Sequence, residues 1–113
     1  MTMLVEARPT HPVVGALRDA CTWIREAADS AIFGLGDDEL GGVIGECEVL
    51  RAVTHHLQLS LVREADERNL AGRAGATSLA AWLTGRLRLQ PRDARRLVRV
   101  AHATGARAEP LDY

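Results

Sequence analysis

Arg92, Arg95, Arg96 and Arg99 are the residues whose type and spacing point most clearly to chemistry. On a helix at 100° per residue they share an arc of about 100°, while Ala94, Leu97, Val98 and Ala101 occupy the opposite arc. A guanidinium is a planar fork that donates two hydrogen bonds at once, so such a face suits phosphate oxygens and guanine edges. Two plainer readings compete with this one. The arginines can form the solvated face of an ordinary helix hairpin, or they can pair with acidic residues elsewhere in the chain. No aromatic is interleaved among them to stack on single-stranded bases.

Other constellations carry less. Gly34-Leu35-Gly36 has the look of a phosphate loop, but Asp37, Asp38 and Glu39 follow at once and would repel a phosphate. Those acids have no second cluster of ligands to complete a metal site. His55 and His56 are adjacent, so on a helix they point about 100° apart, the wrong geometry for holding one metal together. Ser60 and Ser78 have no His–acid arrangement that would make either a nucleophile. Cys21 and Cys47 fall on apolar helix faces without C-x-x-C spacing and read as buried, reduced thiols. The sequence therefore predicts no enzyme, no metal, no cofactor and no small-molecule substrate.

The elements that would position the arginines follow from the hydrophobic pattern. Apolar residues are mainly Ala, Leu and Val, with only four aromatics, which favours helices packed on helices over a sheet. Leu40, Val43, Cys47, Leu50, Thr54, Leu57 and Leu61 recur at gaps of three and four, a seam on a long helix from Asp37 to Asn69. Asp37 is its expected N-cap, and Asn69 its expected stop. Leu50 and Leu57 are expected in the core, and Val53, Leu59 and Val62 off the seam as an exposed patch. An earlier helix, capped by Thr10 with Pro12 in its first turn, carries Val13, Leu17, Ala20, Ile24, Ala27 and Ala31, a span of about 22 residues. Gly34 and Gly36 break it, which predicts an antiparallel hairpin.

Leu70 to Gly75 reads as a loop. Thr77 or Ser78 caps a third helix bearing Leu79, Trp82 and Leu83, with Trp82 as its anchor, and Gln90-Pro91 opens a fourth. A helix, a tight link and an arginine-faced helix have the outline of a helix-turn-helix. The predicted fold is all-α: a long antiparallel helical hairpin followed by a short helix-turn-helix-like pair. Residues 1–11 read as a flexible leader, 12–103 as a single helical domain and 104–113 as a tail.

Charge is balanced overall at −1 but not along the chain. Residues 1–50 carry three Arg against nine acids, and residues 86–108 carry seven Arg against Asp93 alone. All fourteen basic residues are arginine, which a GC-rich genome explains as simply as any function. The N-terminus lacks a basic start followed by an apolar run, and no stretch is long enough to cross a bilayer, so the expected location is cytoplasmic, without a membrane partner.

One stretch resembles a known family. Arg63-Glu64-Ala65-Asp66-Glu67-Arg68, Gly75-Ala76-Thr77-Ser78, Ala81-Trp82-Leu83 and Leu89-Gln90-Pro91-Arg92-Asp93-Ala94-Arg95-Arg96 look like the actinobacterial thirteen-E-twelve repeat family. That is a helical domain of unknown function often found ahead of an HNH endonuclease domain. The resemblance covers the chain from about Asp37 onward and departs from the family at Gln90, where a serine is usual. The family domain normally continues well past His102, so the resemblance implies its N-terminal part, truncated before any nuclease domain. No HNH histidines are present to carry over. The expected function is a non-catalytic DNA-binding or DNA-targeting module of a nuclease-associated protein, with Arg92, Arg95, Arg96 and Arg99 as the nucleic-acid face. The alternative is a helical protein-interaction or homodimerisation module.

Overall fold

The computed structural model describes residues 11–108, and side-chain surroundings for residues 11–105. Every regular element among them is helical, with no strand: α1 (Pro12–Ala28), a single 3-10 turn (Ile32–Gly34), α2 (Asp37–Glu67), α3 (Leu70–Arg73), α4 (Leu79–Leu87) and α5 (Pro91–Ala108). The chain divides into two units, Met1–Val43 and Ile44–Tyr113, with the boundary inside α2.

In the first unit, α1 starts at Pro12, where a missing N–H costs nothing. The cap is His11, whose Nδ1 accepts the Val13 N–H at 3.1 Å. Thr10, the expected cap, lies outside the described residues. The helix ends at Ala28 after 17 residues, shorter than the apolar pattern predicts, with the Asp29 N–H bonded back to the Arg25 and Glu26 carbonyls. It buries no residue, and Trp23 is 66% exposed.

The start of α2 is a half capping box. Gly36, and not Asp37, holds the cap position: its carbonyl accepts from Leu40, and its N–H donates to Glu39 Oε1 at 3.0 Å. Asp37, Asp38 and Glu39 all sit in the first turn, where the helix dipole favours negative charge. The helix then runs 31 residues, about 46 Å at 1.5 Å per residue.

The core lies in the second unit. Leu59 and Val62 of α2, Ala71 of α3, Leu79 and Leu83 of α4, and Ala94, Leu97 and Ala101 of α5 are buried together, flanked by Ala65, Ala76, Trp82, Leu89, Val98 and Val100. This corrects the seam expectation. Leu59 and Val62 are 5% and 6% exposed, whereas Leu50 is 44% exposed and Leu57 only half-buried. Of the expected bare patch only Val53 is bare, at 61%. The reason is that α2 carries two apolar stripes, and the short elements after it reach only its last turns. They pack on the stripe Leu59–Val62–Ala65, whose spacing of three is as helical as the seam's.

The connection from α2 to α4 is more ordered than a loop. Asn69 takes the left-handed conformation (φ 53°), ending α2, and residues 70–73 wind one further turn that buries Ala71. Gly75 closes that turn at φ 81°, with its N–H on the Gly72 carbonyl and the Ala76 N–H on the Ala71 carbonyl, the paired bonds of a Schellman stop. Ser78 caps α4, its Oγ accepting the Ala81 N–H at 3.0 Å. Three residues, Arg88, Leu89 and Gln90, separate the end of α4 from Pro91, which opens α5. Helix α5 runs on to Ala108, past His102 where its sequence pattern fades.

Candidate nucleic-acid interface

Helix α5 is oriented by its small residues. Ala94 and Ala101, seven apart and fully buried, let the α5 backbone approach the core closely, with Leu97 filling the space between them. Burying that stripe turns the opposite one outward, so Arg92, Arg95, Arg96 and Arg99 are all exposed. The apolar and basic arcs read from the sequence are those found. Among the described residues the ion pairs are Arg51–Glu48 and Arg68–Glu64, with His102 in contact with Asp66, and none of these involves the four arginines.

The four form a ridge with two flanks. On one flank Arg96 and Asp93 border an open groove of about 400 Å³ between α5 and α2, with His55 and Gln58 on its far side and Leu89, Leu97 and Val100 among its lining. On the other, Arg95 borders a cleft of about 260 Å³ with Ser78, Thr84 and Pro91. Arg92 and Arg99 lie between the flanks on the helical wheel. Asp93 is the single acid in the first turn of α5, set beside Arg96 and away from Arg95.

Two polar latches hold the C-terminal half of α5 against α2. Arg63 crosses from α2, donating from Nη1 to the Ala101 carbonyl at 3.2 Å and from Nη2 to Ser60 Oγ at 3.1 Å. Gly105 makes this possible, since a Cβ there would stand 2.5 Å from Arg63 Cδ. The second latch is His102 Nε2 to Asp66 Oδ2 at 2.9 Å, with both side chains about half exposed. The exposed His102–Asp66 contact contributes little stability, whereas the Arg63 hydrogen bonds are part-buried.

Two further arginines border this region, Arg86 and Arg88. Arg86 lies over the Trp82 ring, 5.3 Å from its centroid, and the i,i+4 spacing of the two residues was the available signal. Trp82 is thus half-buried, with one side on the core and the other under a cation. Arg88 ends α4 in the left-handed region at φ 57°, donating its N–H to the Thr84 carbonyl.

The remaining expected features fall apart in space or in exposure. Both cysteines are exposed, contrary to the expected core thiols, because the stripes that carry them lie outside the packed core. His55 borders the groove, and His55 and His56 are both exposed. Among the described residues no three of His, Cys, Asp and Glu gather into a cluster, and no helix is long and apolar enough to cross a membrane. Comparison with protein-family models, with curated proteins and with solved structures finds no match.

Proposed function

We propose that this chain is a non-catalytic helical module that binds DNA through α5, as the targeting part of a nuclease-associated protein. The observation that carries the proposal is the ridge of Arg92, Arg95, Arg96 and Arg99, exposed together and without an ion-pair partner among the described residues. Cations left in water on one rigid face favour an anionic partner, and releasing the counterions of a phosphate backbone supplies the driving force. In this reading α4, the turn at Arg88-Leu89-Gln90 and α5 act as the helix-turn-helix-like pair. Arg86 and Arg88 extend the charge at the end of α4. The resemblance of residues 64–101 to the thirteen-E-twelve repeat family supports the same assignment.

The test is a titration of a mixed-sequence duplex at several salt concentrations, followed by fluorescence anisotropy. Four phosphate contacts at about −0.9 each give a log-log slope of roughly −3 to −4. A chain that leaves the duplex unbound at low salt overturns the proposal.

A second reading, a helical interaction module, is favoured by a separate observation. Large apolar side chains of α2 stand in water, among them Ile44 at 60% exposure, and contiguous bare apolar surface marks a partner site.

A further inference from the structure

The seam residues Cys47, Leu50, Thr54 and Leu61 stay exposed, and Leu57 half so, on one uninterrupted helix. The core of the second unit takes Leu59 and Val62 from a different stripe of α2. The helix therefore has one apolar face in use and another, of coiled-coil spacing, without a cover in the described chain. Placing Cys47, Thr54 and Leu61 at the a positions of a heptad, with Leu50 and Leu57 at d, puts Glu46 at g and Arg51 at e. Those two are five residues apart. In a parallel, in-register pair of helices the g residue of one meets the e residue five positions on in the other. From Cys47 onward the other flanking pairs of this register, Val53 with Gln58 and Ser60 with Ala65, are uncharged.

We infer that α2 pairs in parallel with α2 of a second copy of this chain, seam against seam, with Glu46 of each copy facing Arg51 of the other. The charges choose the occupant and its direction. An antiparallel pair brings g against g and e against e, so Glu46 could not meet Arg51. Arg51 is free to turn: its contact to Glu48 on its own helix is long, 3.8 Å, between side chains 77% and 69% exposed. Thr54, the polar interruption, needs nothing from its counterpart, since its hydroxyl already donates to the Leu50 carbonyl at 2.8 Å. A polar residue at one a position lowers affinity while fixing register, so a weak, specific dimer is the expected result. The inference rests on the interaction-module reading and is independent of the arginine ridge.

Charge reversal tests it, read by sedimentation equilibrium on the whole chain, with circular dichroism confirming that each variant is folded. Glu46→Arg and Arg51→Glu each turn two attractions into two repulsions, and each alone weakens the dimer by on the order of tenfold. The double variant regains wild-type association. An equimolar mixture of the two single variants associates where neither does alone, because every cross pair in the mixed dimer is again opposite in charge. A wild-type chain that stays monomeric at all accessible concentrations overturns both the pairing and the interaction-module reading between copies, and assigns the seam to another segment or another protein. A wild-type dimer that both single variants form equally well overturns the parallel pairing alone, and leaves association through some other face.

Discussion

Replacing Leu59 with Ala removes one of the two buried residues that tie α2 to the rest of the core. Leu59 is 5% exposed and packs among the buried residues of α2, α3, α4 and α5. Losing three carbons at about 0.8 kcal/mol each gives roughly 2.4 kcal/mol of transfer energy. A cavity that its neighbours cannot refill raises the total to about 3–4 kcal/mol. At about 0.1 kcal/mol per residue, a helical unit of this size has only about 7 kcal/mol in all, so the variant loses near half of its stability. Leu50→Ala, on the exposed seam, costs under about 1 kcal/mol in dilute solution, where no second copy covers it. The assay is urea unfolding followed by circular dichroism at 222 nm, at protein concentrations low enough to hold the chain monomeric. If Leu50→Ala proves the costlier change and Leu59→Ala nearly neutral, the heptad seam faces inward and the core assigned here is on the wrong side of α2.

Two further substitutions probe the local geometry that aims α5. Ser78→Ala leaves the Ala81 N–H without its cap and lowers stability by about 1 kcal/mol in the same unfolding assay, whereas Thr77→Ala leaves it unchanged. Arg88→Gly relieves a left-handed residue with a side chain, offset by the greater freedom of glycine when unfolded. The net effect is between neutral and about 1 kcal/mol stabilising, and Arg88→Val, which tolerates that backbone worst, loses more than about 1 kcal/mol.

The local features of α4 and α5 were legible because each is set by near neighbours. Ser78 three residues before Ala81, Pro91 at a first helical position, and Ala94, Leu97 and Ala101 at helical spacing carry their own instructions. The choice between the two stripes of α2 was not. Leu50 and Leu57 on one, and Leu59 and Val62 on the other, are equally apolar, and what decides between them is where α4 and α5 land after the turn at Asn69 and Gly75. Asn69 was legible as a stop, but the extra turn of α3 was not, because Gly72 and Gly75 read as breaks. Gly75 is the stop of that turn, and Gly72 lies within it, where a Cβ would stand 2.5 Å from Asn69 Oδ1. The arginine arc was visible from periodicity alone. Its two flanking hollows, and the Arg63 and His102 latches that join positions 38 and 36 residues apart, exist only once the helices pack.

Whether the α5 arginines meet phosphate or the chain's own acids is tested directly by one double variant. Arg95→Ala with Arg96→Ala removes one cation from each flank of the ridge and touches no buried residue. Measured side by side with the wild type, duplex binding should lose about two units of salt slope while the thermal midpoint stays within about 2 °C. A variant that binds duplex with the wild-type slope, and melts several degrees lower, would show that these arginines serve the fold, and would contradict the proposed function.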